Sequence, residues 1–211
     1  MLKKLAYITF ILFLTAGFAQ AAEFVEGEQY TRVAEQPTET GDKIEVLEFF
    51  WYGCPHCYQF EPILQNWLKT KPANVEFVRV PAVFRPEWKV HARTYYALQA
   101  MGLIEKYHSE IFDALHKDRA DLYTEDKMIA FLVSRGVNEK EFRSAYASFS
   151  IDNQLRKAIK KLKAYGISGV PSLAVNGKYL ASGSSAGTYE NMLRIVDHLI
   201  EKEAATADAK K

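Results

Sequence analysis

The chain has 211 residues and a formal net charge of +1, from 27 Lys and Arg against 26 Asp and Glu. So even a balance, with no basic run beyond Lys160, Lys161 and Lys163 on a predicted helix, argues against nucleic acid as a partner. Two cysteines are too few for a disulfide-stapled scaffold, and no internal repeat is visible.

The first 21 residues read as an export signal. Lys3 and Lys4 form a basic start, Leu5 to Phe18 is almost wholly apolar, and Ala19-Gln20-Ala21 fits a small-x-small cleavage site. An apolar run of about 14 residues falls short of the ~20 needed to span a bilayer. Cleavage after Ala21 is therefore expected, which removes Lys3 and Lys4 and moves the formal balance from +1 to −1. An exported chain lives where disulfides persist, so its scarcity of cysteine is informative. The remaining ~190 residues make one domain, or a domain with an insertion.

Tyr30 to Val33 is a short strand candidate, followed by a polar turn through Pro37 and Gly41. Ile44 to Phe50 is the strongest strand signal, and its low polarity implies burial on both faces. Glu48 lies inside that run. It is either an ordinary strand residue reaching solvent or a buried proton acceptor with a raised pKa, near the second cysteine.

Cys54-Pro55-His56-Cys57 stands where this strand meets a helix predicted from Pro55 to about Thr70. A Cys-x-x-Cys at a helix start is a redox signature. Unpaired N–H groups and the positive end of the helix dipole favour a thiolate on Cys54, and a charged His56 would favour it further. Pro55 suits the first turn because it has no N–H. As a staple the pair would contribute only ~2 kcal/mol. As a zinc site it lacks partners, since there is no second Cys-x-x-Cys and no His-x(3–5)-His spacing. Pro62 should kink the helix. Glu61, two turns from Cys54, either shares its face or simply meets solvent. Asn74 to Val80 then reads as a strand ending at Pro81.

From Pro86 to Tyr165 the pattern is helical throughout. Trp88 to Met101 stops at Gly102, and Leu103 to His116 continues the pattern. Thr124 opens a helix that Gly136 closes, Asn138 with Glu141 forms a capping box, and Phe149 to Tyr165 is a last long helix. Strand signals resume in a hairpin, Ser172 to Val175 and Lys178 to Ala181, turned by Asn176-Gly177. Thr188 caps a closing helix, Tyr189 to Glu203, and the tail 204–211 reads as disordered. The result is an α/β fold with a mixed central sheet, residues 22–84 and 166–203, interrupted by an all-helical insertion, residues 85–165.

Cys54-Pro55-His56-Cys57, between Leu47-Glu48-Phe49-Phe50 and Tyr58-Gln59-Phe60-Glu61, resembles the DsbA family of periplasmic thiol:disulfide oxidases. So do Gly169-Val170-Pro171 and the Val175-Asn176-Gly177-Lys178-Tyr179 hairpin. The likeness covers essentially the whole mature chain and implies a thioredoxin-like fold with the helical block at the family's insertion point. It implies that Cys54 is the exposed nucleophile, that His56 stabilises its thiolate, and that Cys57 is the buried partner. Pro171 would be the cis-proline against the site, with Val170 beside it at the substrate, and Glu48 and Glu61 match acidic positions near the buried cysteine. Family members carry a Lys in the strand after the catalytic helix. Phe77 stands nearest that place here, so no proton-transfer Lys is expected.

The resemblance further implies that the Cys54–Cys57 disulfide is the only redox group, with no metal or organic cofactor. Newly exported cysteine-containing proteins would be the substrates, and a DsbB-like, quinone-linked membrane protein the reoxidant. No long exposed heptad suggests a dimerisation arm, so a monomer is expected. Two other activities fit the residues less well: a reductase or isomerase on the same fold, and a peptide-holding chaperone for which the cysteines would be incidental.

Overall fold

A computed structural model describes residues 24–208; the predicted export signal, 1–21, lies outside them. The fold grows from one strand. β2 (Ile44–Phe50) is buried at every position and lies inside a five-stranded mixed sheet of order β1-β5-β4-β2-β3. Its neighbours are β3 (Val75–Pro81), which runs parallel, and β4 (Ser172–Val175), which runs antiparallel. β5 (Tyr179–Ser182) and the two-residue edge strand β1 (Thr31–Arg32) complete it. Parallel neighbours need a crossover, and α1 (Pro55–Thr70) supplies it, continuous through Pro62. The β4–β5 turn holds Asn176 at φ 50° and Gly177 at φ 71°, the two left-handed residues that a type I′ turn requires.

Between β3 and β4 the chain is helical, as its periodicity predicts. A single 3₁₀ turn at Pro86–Trp88 leads into α2 (Lys89–Ala100), followed by α3 (Ile104–His116) and α4 (Glu125–Val133). α5 (Glu139–Tyr146) and α6 (Phe149–Ala164) complete the block. The Thr124, Asn138 and Ser148 side chains cap α4, α5 and α6 by accepting a backbone N–H.

Two cores flank the sheet. Val46 and Leu173 pack with Phe60 and Leu64 of α1 and with Met192, Val196 and Leu199 of the closing helix α8 (Tyr189–Asp208). Leu47, Phe49 and Phe50 pack with Tyr95, Ile111, Phe112 and Met128 of the helical block. Burying each large apolar side chain contributes about 1.5–3 kcal/mol, so both layers are bound firmly to β2.

Two sequence expectations need correction. A four-residue helix, α7 (Gly183–Ala186), stands where no element was expected; its Ser182–Ser185 capping box gives so short a segment its hydrogen bonds. The tail is not disordered from residue 204, because α8 continues to Asp208. Glu203 is anchored to Asn176 and Lys178 at 2.6 Å each, Ala204 packs on the core, and Ala-rich sequence extends a helix readily.

Candidate active site

β2 delivers the chain to the dithiol. Its end, through Trp51, Tyr52 and Gly53, is pinned to the helical block at two points. The Trp51 ring lies flat on Trp88, with centroids 3.7 Å and planes 4° apart. The Tyr52 carbonyl lies 2.7 Å from His116 Nε2. Gly53 is required by this approach, since a Cβ there would lie 2.4 Å from the Trp51 ring. Cys54 then occupies the N-cap of α1 in extended conformation, with Pro55 at the first helical position.

The two sulfurs sit in opposite environments. Cys57 is fully buried, and burial first, then the Cys54 sulfur, push its thiol well above the ordinary range. Cys54 is held down to about 6. The leading cause is the hydrogen bond from the Cys57 thiol. Burial opposes it, while the His56 and Cys57 amides and the His56 charge add to it. The thiol makes no formal capping bond, so the amides act as oriented dipoles. His56 thus acts in the direction the resemblance implies, through its amide and its charge.

The expectation of an exposed Cys54 also needs correction. It is 7% exposed, because the Val170–Pro171 segment lies across it, with Cys54 Sγ 3.4 Å from the Val170 carbonyl. The Val170–Pro171 bond is cis. Beside it runs a groove of about 800 Å³, lined by His56, Ile63, Val170, Pro171, Leu180 and Tyr189. Tyr189 Oη lies 3.2 Å from His56 Nδ1, so the first residue of α8 fixes the histidine at the groove's rim.

Glu48 and Glu61 meet at one buried arginine, so Glu48 does not reach solvent from its strand and Glu61 is not a plain solvent contact. Glu48 is 1% and Glu61 6% exposed. Between them lies Arg79, directly opposite Glu48 in the β2–β3 register. Its Nε donates to Glu48 at 3.0 Å and its Nη2 to Glu61 at 2.9 Å. Sequence reasoning missed this arginine, along with Tyr189 and the buried His108. Phe77 is no cation, but the same strand supplies one two residues later, at Arg79. Burial, relieved only in part by Arg79, pushes Glu48 up to about 8. Burial would raise Glu61 as well, but the neighbouring His108 ring, the Arg79 guanidinium and the Gln65 amide outweigh it and hold the carboxyl down to about 2. The result is one proton for two carboxyls.

A Cys57→Ala change tests the leading influence on Cys54. Without the Cys57 thiol its midpoint should climb from about 6 by at least ~1 pH unit, a tenfold loss of thiolate at mildly acid pH. The pH dependence of iodoacetamide alkylation reads this directly. An unchanged midpoint would assign the low value to the helix amides and His56 alone.

Two thiols of such unequal acidity, set across one helical turn and overlaid by a proline segment, have the arrangement that thiol–disulfide exchange on a thioredoxin-like fold requires. Comparison with known proteins agrees. A family model described as DSBA-like thioredoxin domain matches residues 45–193. The thiol:disulfide interchange protein DsbA of Pseudomonas aeruginosa is 44% identical over 190 residues, 90% of each chain. That of Azotobacter vinelandii is 46% identical over 183 residues, 86% of each. The crystal structure of Pseudomonas aeruginosa DsbA superposes with a TM-score of 0.84 at 44% identity, covering 88% of this chain and 97% of that one. The chain belongs to the DsbA family and is a thiol:disulfide oxidoreductase.

Proposed function

We propose that the protein works as an oxidase, donating the Cys54–Cys57 disulfide to newly exported proteins in the periplasm. The observation that carries this reading is the placing of Cys54 at the N-cap of α1, beside a fully buried Cys57 and under the Val170–Pro171 segment, a setting that draws the Cys54 thiol down and pushes that of Cys57 up. A substrate thiolate attacks Cys54 Sγ, forming a mixed disulfide as the Cys54–Cys57 bond breaks and its electron pair goes to Cys57. A second substrate thiolate attacks the substrate sulfur of that mixed disulfide. The substrate leaves oxidised, and Cys54 leaves as the thiolate.

A stable Cys54 thiolate favours this direction. Lowering the midpoint from the ordinary 9.0 to about 6 stabilises the reduced state by at most about 4 kcal/mol, or ~90 mV for two electrons. The groove beside Val170 and Pro171 suits an extended substrate segment, with His56 and Tyr189 at its rim. Glu48, the carboxyl whose charge bears on Cys57, is the group that exchanges a proton with it. In this reading the dithiol needs no metal or organic cofactor. A DsbB-like, quinone-linked membrane protein reoxidises it, and the chain acts as a monomer. Periplasmic placement rests on the export pattern of residues 1–21; among the described residues no helix is long and apolar enough to cross a membrane.

The equilibrium of the dithiol with glutathione mixtures, followed by Trp fluorescence, tests the direction. About −120 mV is the established value for DsbA itself rather than one deduced from this chain, and a result near it is expected. A result near −270 mV, the thioredoxin value, would make the protein a reductant and overturn the proposal.

A further inference from the structure

The helical block contributes a buried histidine to the charged cluster under the dithiol, and the disulfide exchange just described does not use it. His108 of α3 is 3% exposed and packed among the rings of Phe50, Tyr52 and Phe112. Its Nδ1 lies 2.8 Å from Tyr52 Oη, and its Nε2 lies 3.5 Å from Glu61 Oε1. Burial disfavours the charged imidazole, so one nitrogen carries the proton. If it were Nδ1, the Tyr52 hydroxyl would be left without an acceptor, and the bare Nε2 would face a carboxylate oxygen. If it is Nε2, Tyr52 donates to Nδ1 and the Nε2–H points at Glu61. Only the second arrangement gives the Tyr52 hydroxyl an acceptor and sets an N–H rather than a lone pair on the carboxylate side. At 3.5 Å that contact is electrostatic and not a hydrogen bond, and Glu61 Oε2 has no hydrogen-bond partner among the described residues.

Arg79 does not choose between the two acids, since it donates to Glu48 at 3.0 Å and to Glu61 at 2.9 Å. The asymmetry comes from elsewhere. Glu61 also accepts from Gln65 at 2.7 Å and faces the His108 Nε2–H, whereas Glu48 has Arg79 alone. The other titratable groups turned toward the cluster are Tyr52, Tyr95 of α2 and Glu105 in the first turn of α3. Burial keeps both tyrosines neutral, so neither reverses the bias.

We propose that His108, held in its Nε2–H form by Tyr52, is a positioning residue that keeps the charge on Glu61 and thereby leaves the shared proton on Glu48, the acid that bears on Cys57. The inference rests on the disulfide-donor reading for its chemical meaning. When a substrate thiolate breaks the Cys54–Cys57 bond, the electron pair lands on Cys57. The Glu48 proton moves to that sulfur, leaving a Cys57 thiol and a Glu48 carboxylate. Reoxidation returns the proton.

The test is a carboxyl titration by NMR of the oxidised protein carrying ¹³C-labelled glutamate, in wild type, His108→Phe, His108→Gln and Tyr52→Phe. His108→Phe should lower the Glu48 midpoint from about 8 by at least ~1 pH unit, a tenfold change in proton occupancy, and raise that of Glu61. His108→Gln, which keeps a donor at the Nε2 position, should restore the wild-type distribution. Tyr52→Phe, which is nearly isosteric, should move it in the same direction as His108→Phe by a smaller amount, and it decides the question if His108→Phe does not fold. Unmoved midpoints in the folded variants, or a proton found on Glu61 in wild type, would overturn the assignment. A reducing potential with the expected midpoints would instead overturn the donor reading and leave the proton placement standing.

Discussion

A Cys54→Ser chain is expected to donate no disulfides, a loss as complete as deleting the protein. The sulfur that a substrate thiolate attacks is gone, and a serine hydroxyl offers no disulfide to exchange. Cys57→Ser should fail differently. Cys54 keeps its place at the N-cap of α1, so its thiolate can still attack a substrate disulfide, releasing one substrate thiolate and forming a mixed disulfide. The fully buried partner that would resolve this species is missing, so the mixed disulfide should accumulate. Non-reducing gels of exported proteins from cells carrying each variant would separate the two outcomes. A Cys54→Ser chain that retained full activity in cells would point instead to a peptide-holding module and sink the redox reading.

Removing the cation at the centre of the buried cluster should be nearly as damaging to stability. Arg79→Met leaves Glu48 and Glu61 buried together with no guanidinium, a situation that costs about 3–5 kcal/mol. For a chain of this size that is a drop of roughly 6–20 °C in Tm. The pH dependence carries the sharper information. Glu61, held down to about 2, adds stability above its ordinary 4.5 that is lost as pH falls toward 2. Glu48, pushed up to about 8, works the other way: the folded chain keeps a proton that the unfolded chain releases, so stability is lost as pH climbs from 4.5 to 8. In the variant both carboxyls hold protons more tightly, and the damage should be smaller near pH 5 than near pH 8. Thermal unfolding of the oxidised protein, which removes the Cys54 titration, would show this. An Arg79→Met loss equal at both pH values would mean that the cluster does not share its charge as described.

How much of this was written in the sequence depended on range. β2 and α1 have the predicted bounds, because an unbroken apolar run and a proline-started amphipathic helix are local signals. The dithiol followed from its place between them. Arg79 was hidden, since within Val75–Pro81 an arginine flanked by valines reads as the solvent side of an edge strand. Only the register that sets it opposite Glu48 turns it inward. His108 was hidden for a similar reason: on α3 it is one of several polar residues, and its burial depends on β2 delivering Phe50 and Tyr52 beneath it. Glu48 was legible as a question, a carboxylate in an apolar run, but its partner lay 31 residues away. The low exposure of Cys54 came from a segment 116 residues downstream.

The indole pair before the dithiol has a consequence of a spectroscopic kind. Trp51 belongs to the loop that carries the cysteines and Trp88 to the first turn of the helical block, and their planes lie 4° apart at 3.7 Å. Aromatic transition dipoles so close couple to one another, so the two rings absorb as a pair. Their near-ultraviolet circular dichroism reports relative orientation rather than the burial of either ring. Sliding of the helical block against the dithiol loop, by a bound substrate or a membrane partner, would change that signal with no label attached. The protein thus carries an intrinsic optical gauge across the junction where its two halves meet.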